Sequence, residues 1–157
     1  MFANKRYHWA LIIGPKQESI KSEGTRFHVT NRPIPGGGER WVYEELPIPL
    51  RATSMILVRM TIAKVADLDR ALDILRAVPV RQDTGWTCKS WVQEAVMSLA
   101  ADGSALGRCV VDWETLYSEV TEYCRGKRAI GRWAGGRGVG VTMPPTFNLL
   151  EDREIFP

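Results

Sequence analysis

Hydrophobic and polar positions alternate with a period of two through the first part of the chain, a pattern that predicts strands. The segments concerned are residues 6–14, 24–31, 39–46 and 52–65. The first begins RYHWALIIG and ends at a Gly-Pro pair, which stops a strand ladder. The last is rich in Ile, Val and Met and long enough to predict a central strand.

After residue 66 the apolar positions change to helical spacing. The pattern predicts helices over residues 68–78, 88–103 and 112–127. Asp67 can cap the first helix and Gly103 can end the second. Residues 129–145 are rich in Gly and Arg, which predicts a flexible irregular segment, and the apolar residues of TFNLLEDREIF are expected to dock back. Strands first and helices afterwards predict an α+β fold in a single domain, 1–157.

The composition narrows the function classes. The 157 residues are 45% hydrophobic and 25% charged, with a net charge of +3, so a nucleic-acid partner is not expected. No apolar run approaches the ~18 residues of a membrane span and no secretory signal is recognised, so a cytoplasmic protein is expected. Cys88, Cys109 and Cys124 form no CxxC pair, so neither a metal site, a disulfide framework nor a cofactor is predicted.

Cys88 is the best placed of the three thiols. It follows Thr87, a plausible N-cap, and therefore lies in the first turn of a strongly amphipathic predicted helix. Unpaired N–H groups and the helix dipole favour a thiolate at such a position, and the thiolate is the nucleophile. The alternative is that Cys88 is an ordinary small buried residue.

The two histidines of the chain, His8 and His28, fall on the first two predicted strands. Their numbers have the same parity. Any antiparallel register in which paired residue numbers add to an even value therefore puts both side chains on one face. Two imidazoles facing a cysteine at a helix start supply a base and a group that orients it. Taken singly, each histidine is explained as well by a structural role.

Three short motifs carry a resemblance to a known family. The segments YHWALIIGP and FHVTN are similar to the HWAIYVG and VHL stretches of the lecithin:retinol acyltransferase and phospholipase/acyltransferase family. The segment TCKSWVQEAV is similar to that family's NCEHFVNEL. The sequence departs from the family at Thr87, where the family has asparagine, and at Ser90, where it has histidine. The chain as a whole also resembles a group of short fungal proteins of unknown function.

The resemblance implies a permuted papain-like fold, in which the histidine strands precede the cysteine helix. It implies that Cys88 is the nucleophile, His8 the catalytic base and His28 the residue that orients it. A glutamine at similar spacing before the cysteine helps to bind the oxyanion in papain-like peptidases, which makes Gln82 a candidate for that role. A polar loop residue is an equally good interpretation of Gln82.

The function expected is that of a cysteine-dependent acyl-group hydrolase or transferase, acting on an amide, ester or thioester. Its substrate is expected to contact Trp9, Trp86 and Trp91. One alternative is a small-molecule-binding enzyme or cyclase of fungal specialised metabolism that forms no acyl-enzyme. Another is a non-catalytic module that binds RNA or acidic partners through a basic stretch. The basic residues of that stretch are Arg125, Lys127, Arg128, Arg132 and Arg137.

Overall fold

The computed structural model describes residues 7–53, 56–135 and 142–157. Within these ranges the chain combines small sheets with helices, so the α+β class is confirmed. The strands are β1 (Leu11–Ile13), β2 (Glu23–Pro33), β3 (Glu39–Pro49), β4 (Arg59–Thr61), β5 (Ala63–Val65), β6 (Leu106–Cys109), β7 (Thr146–Asn148) and β8 (Arg153–Phe156). The helices are α1 (Leu68–Ala77), α2 (Cys88–Asp102) and α3 (Trp113–Ala129).

The first sheet has the order β1-β2-β3 and is antiparallel throughout. The strands β2 and β3 form a long hairpin whose turn contains three successive glycines with positive φ, residues 36–38. Glycine adopts this backbone conformation without the steric cost that other residues pay. The predicted strands over 24–31 and 39–46 are confirmed and each is longer than predicted, whereas only residues 11–13 of the predicted 6–14 strand are regular.

The prediction of one long strand over 52–65 is wrong. In its place β4 pairs in parallel with β7, and β5 pairs antiparallel with β6 in a different sheet. The change of pairing partner occurs between Thr61 and Ile62. The Thr61 carbonyl accepts the Leu149 N–H at 3.0 Å, and the Ile62 carbonyl accepts the Val110 N–H at 2.7 Å. The apolar composition of the stretch does not indicate that its pairing partner changes. Residues 54–55 of the predicted strand lie outside the described ranges.

The three predicted helices are confirmed with their caps. The Asp67 carboxylate accepts the Arg70 N–H at 3.0 Å at the start of α1, and Gly103, with φ of 76°, ends α2. Helix α2 packs on β2, where Trp91 lies against the core with Phe27 and Val29, each with 0% exposed surface. None of the helices in the described part of the chain is long and apolar enough to cross a membrane.

The Gly- and Arg-rich region begins in regular structure, because α3 continues to Ala129 and is followed by turns up to residue 135. The predicted flexible segment otherwise falls partly on residues 136–141, which lie outside the described ranges. The C-terminal stretch docks as predicted. Its strands β7 and β8 complete the sheet that contains β4.

Candidate active site

The two histidines meet on one face of the first sheet. Leu11 pairs with Phe27, and the other β1–β2 pairs have the same sum of residue numbers, which is even. His8 precedes β1 by a few residues, and its Nε2 lies 2.6 Å from Nδ1 of His28. The ring planes are 82° apart with centroids at 4.8 Å. The predicted shared face of the histidines is therefore confirmed.

A carboxylate continues the line of hydrogen-bonded side chains that begins with His8 and His28. Glu44 is the direct β3 partner of His28, and its Oε2 lies 3.1 Å from His28 Nε2. The guanidinium of Arg32 donates to the other carboxylate oxygen through Nε at 3.1 Å and also through Nη2. Arg32 first, and His28 after it, lower the pKa of Glu44. Glu44 is therefore ionised at neutral pH and can only accept hydrogen bonds.

The charge on Glu44 fixes the proton positions along the line. A neutral His28 must carry its proton on Nε2 to donate to Glu44, which leaves Nδ1 as an acceptor. His8 then donates from Nε2 to His28, and the lone pair of His8 resides on Nδ1. The outcome is a neutral His8 whose basic nitrogen is Nδ1.

Electrostatics keep both imidazoles neutral. Desolvation by the surrounding protein, followed by the neighbouring His28 and Arg26, lowers the pKa of His8 to about 4. Desolvation and Arg26 also lower the pKa of His28, despite the opposing effect of Glu44. At neutral pH both rings are therefore unprotonated.

Cys88 is the first residue of α2 and lies beside the main chain of His8. Its sulfur accepts the N–H of Trp9 at 3.4 Å and lies 4.0 Å from the carbonyl oxygen of Tyr7. The Ser90 hydroxyl accepts the N–H of the N-cap residue at 3.1 Å, which holds this first turn in place. Within the described residues, the thiol thus bonds to the backbone on either side of His8, while the His8 ring bonds to His28.

Gln82 makes a two-point bridge to the main chain of β3. Its Nε2 donates to the carbonyl oxygen of Trp41 at 3.0 Å, and its Oε1 accepts the N–H of Trp41 at 2.9 Å. Because β3 lies at an edge of its sheet, this bridge satisfies backbone groups that the sheet leaves unpaired. A role for Gln82 at the oxyanion stays a prediction, and it requires that the amide leave Trp41.

The three tryptophans predicted to contact substrate lie in different surroundings. Trp91 is in the core with 0% exposed surface. Trp86 donates through Nε1 to Glu94 at 2.9 Å and packs edge-to-face with Trp41. Trp9, next to His8, stacks on Tyr117 with ring centroids 5.9 Å apart. Trp9 is therefore the tryptophan that the structure places beside the histidine pair.

A cleft of about 1590 Å³ adjoins this site. Its lining includes His8 and Trp9, together with apolar side chains of β1, α2 and α3, and Cys124. Ligand sites typically measure ~300–1,000 Å³, so this cleft can hold a sizeable small molecule. A smaller groove of about 340 Å³, lined by Tyr123, Lys127 and neighbouring residues, contains none of the predicted site residues.

The basic stretch at the end of α3 is largely engaged within the protein. Lys127 is buried and forms an ion pair with Glu154. Arg128 lies over the ring of Tyr7, 5.3 Å from its centroid, and Arg132 donates to the C-terminal residue at 3.4 Å. Arg137 lies outside the described ranges. These internal contacts leave fewer charges for an acidic partner than the sequence suggests.

Sequence reasoning missed Glu44 and Arg32. A signal for them was present, since a hairpin centred on Gly36, the first of the three turn glycines, pairs residues whose numbers add to 72. That register sets Glu44 directly opposite His28. Arg32 lies on the same face as His28, four residues further along β2. Among the described residues there is no group of three or more His, Cys, Asp or Glu side chains that could hold a metal ion.

The chain belongs to a family of unknown function, DUF6914, whose family model matches residues 2–156. No curated protein and no solved structure matches the chain.

Proposed function

We propose that this protein is a cysteine-dependent acyl-group hydrolase or transferase with a permuted papain-like arrangement, in which Cys88 is the nucleophile and His8 the base. The observation that carries the proposal is the line His8–His28–Glu44, which begins at the residue whose flanking backbone contacts the Cys88 sulfur. A nucleophile, a base and a group that orients the base are the parts that acyl transfer requires.

In the first step His8 Nδ1 takes the proton of the Cys88 thiol as the sulfur attacks a carbonyl carbon. The sulfur–carbon bond forms, and the carbonyl π electrons move to oxygen. This step requires the His8 ring to turn so that Nδ1 reaches the sulfur, which lies against the backbone on either side of His8. Contacts of this kind commonly tighten only when substrate binds.

The negative oxygen needs donors that are already in place. The first N–H groups of α2 have no partner within the helix, and the sulfur is fixed at the same helix end. Each donor of this kind contributes roughly 3 kcal/mol to the transition state in comparable sites. The first turn of α2 therefore supplies both the nucleophile and the stabilising dipoles.

Collapse of the oxyanion breaks the bond to the leaving group, which takes the proton from His8. A thioester on Cys88 remains. Water or an amine then attacks this thioester, giving its proton to His8 Nδ1, and the released thiolate recovers that proton. The choice between water and an amine decides between hydrolase and transferase. Throughout the cycle Glu44 stays ionised and holds His28 in one tautomer.

The deciding experiment is covalent acylation by an activated ester, followed by intact-protein mass spectrometry. The wild-type protein is expected to gain one acyl group on Cys88, identified by peptide mapping. Cys88→Ala should abolish the adduct, while Cys124→Ala, which removes a thiol that lines the cleft, should retain it. An adduct on Cys109 or Cys124 instead would overturn the proposal.

The cleft also favours a second candidate, a small-molecule enzyme or cyclase that forms no acyl-enzyme. Its volume and its apolar lining suit a ligand that is held rather than covalently bound. In that case Cys88→Ala would retain most of the activity, and no adduct would appear at any thiol. The same mass spectra therefore separate the two candidates.

A further inference from the structure

Arg26 lies beside the histidine pair and has no counter-charge among the residues that the structure describes. It is two residues before His28, on the same face of β2, and its direct partners are Ile12 in β1 and Leu46 in β3. The side chain lines the large cleft that His8 also lines. Its Nε is buried and has no hydrogen-bond partner. The guanidinium thus faces the cleft from the wall that carries the candidate base.

Two other arginines of the same cleft are paired with carboxylates, and Arg128 lies over the Tyr7 ring. Arg59 forms two hydrogen bonds with the carboxylate of Glu18, at 2.7 and 3.2 Å, and Arg153 pairs with Glu151 at 2.7 Å. Glu44, the carboxylate closest along the face, is held by Arg32 and His28. Both of its oxygens are therefore already engaged, and Arg26 is left unpaired.

An unpaired arginine in this position is costly. A buried donor without a partner is unfavourable, and a guanidinium does not lose its proton to avoid that cost. The same charge disfavours protonation of both histidines. Groups of this kind in a folded protein call for a specific explanation, and an anion supplied by a ligand is a direct one.

We propose that Arg26 binds an anionic group, a carboxylate or a phosphate, on a substrate that occupies the cleft. The planar guanidinium suits either group, because it presents paired donors to two oxygens. The inference rests on the proposed function in one respect. It places the anion of the substrate beside His8, so that a seated anion favours attack on the carbonyl by Cys88.

The first test compares two esters of similar size, mono-4-nitrophenyl succinate, which carries a carboxylate, and the neutral 4-nitrophenyl butyrate. The wild type is expected to be acylated faster by the succinate ester. Arg26→Gln should lower the succinate-to-butyrate rate ratio at least tenfold, the effect of ~1.4 kcal/mol from one charge-assisted contact. Arg26→Lys, which keeps the charge and loses the paired geometry, should give an intermediate ratio.

Arg108→Gln is the matched control, because Arg108 is an exposed arginine on β6. It should leave the ratio at the wild-type value. Far-ultraviolet circular dichroism checks that each variant is folded. An unchanged ratio in a folded Arg26→Gln protein would overturn the inference, although acylation of Cys88 in that protein would leave the proposed function intact.

The second test measures binding without chemistry. In the Cys88→Ala protein, the imidazole resonances of His28 are followed by NMR while inorganic phosphate or acetate is added at constant ionic strength. Saturable shifts are expected with at least one of the two anions, and the response of each shows whether phosphate or carboxylate is preferred. The shifts should vanish in Cys88→Ala/Arg26→Gln. Shifts that persist there, or that never saturate, would contradict an Arg26 site.

The two proposals fail in different ways. Anion binding that depends on Arg26, without any ester adduct on Cys88, would remove the acyl-enzyme and keep the anion site. An adduct on Cys88 with no dependence on Arg26 would remove the anion site and keep the acyl-enzyme.

Discussion

The start of α2 and the middle of α3 each carry a buried cysteine, and the comparison shows what burial alone leaves open. Cys88 has 8% and Cys124 5% exposed surface, so accessibility does not separate them. The surroundings do. Cys88 opens its helix and accepts a backbone N–H from Trp9, whereas Cys124 lies well inside α3, where the helix itself uses the N–H groups.

The cleft sharpens this contrast, because Cys124 lines it and Cys88 does not. A small apolar electrophile that enters the cleft therefore reaches Cys124, whereas the exposed Cys109 reacts from solvent. A reaction that needs a base favours Cys88, since the segment that holds its sulfur also carries His8. Mild electrophiles and activated esters should accordingly modify different cysteines.

The largest effect is expected from His8→Gln. Loss of the base should slow acylation of Cys88 by about 100- to 10,000-fold, the usual contribution of general base catalysis. Alkylation of Cys124 by iodoacetamide should keep its wild-type rate. Stopped-flow release of 4-nitrophenol measures the first rate, and peptide mapping measures the second. A loss below about tenfold in acylation would place the base elsewhere.

The second effect concerns the carboxylate that orients the histidines. Glu44→Gln should slow acylation of Cys88 by about 10- to 100-fold, less than loss of the base, because a neutral amide still accepts from His28 in one of its two orientations. Nitrogen-15 shifts of the imidazoles should show a mixture of tautomers in the variant and a single tautomer in the wild type.

Glu45→Gln is the control for this experiment. Glu45 is the adjacent residue of β3, so its side chain points to the other face, where it binds Tyr43 and Arg76. Its replacement should change neither the acylation rate nor the tautomers. Equal effects of the two variants would show that Glu44 acts only through the stability of the sheet.

The parts of this site that follow from local rules could be predicted from the sequence. Parity placed His8 and His28 on one face, and a capping residue before an apolar helical stripe placed Cys88 at a helix start. The position of Glu44 depends on the β2–β3 register, which pairs it with His28, sixteen residues earlier, through a glycine turn. Predicting this register from the sequence requires that the turn be centred on the correct residue.

Other features depend on long-range contacts that no local pattern encodes. The 52–65 stretch reads as one apolar strand, yet it pairs with β7 and β6 from distant parts of the chain. Gln82 is a plain polar loop residue until β3 brings Trp41 against it. Arg26 is left unpaired because Glu44 and Glu18 are engaged by other partners, and these contacts are known only from the three-dimensional structure.

The third prediction is a pH dependence. The folded protein lowers the pKa of His8 from 6.5 to about 4, so protonation is disfavoured by folding. His8 should stay neutral at pH 6, and acylation of Cys88 should decline only as the pH approaches 4. NMR titration of the imidazole resonances measures this directly, and a midpoint near 6.5 would contradict it.

The same shift has a consequence for stability. A histidine that is harder to protonate when folded favours the unfolded state as protons are added, so stability should fall as the pH drops from 6.5 towards 4. His8 is itself exposed, and solvent screening reduces the size of this effect. The denaturant midpoint of the wild type should therefore fall slightly more between pH 7 and pH 5 than that of His8→Gln, which lacks the titrating imidazole.

The smallest effect compares the two helix starts. Ser90→Ala removes the acceptor for the Thr87 N–H, and Asp112→Ala removes the cap of α3, where the carboxylate accepts the Thr115 N–H at 2.9 Å. Each change should destabilise the fold by about 1 kcal/mol or less. Because the first turn of α2 positions the sulfur, Ser90→Ala should also slow acylation of Cys88 a few-fold, whereas Asp112→Ala should not. Equal rates in the two variants at matched stability would mean that the α2 cap supports the helix without positioning its cysteine.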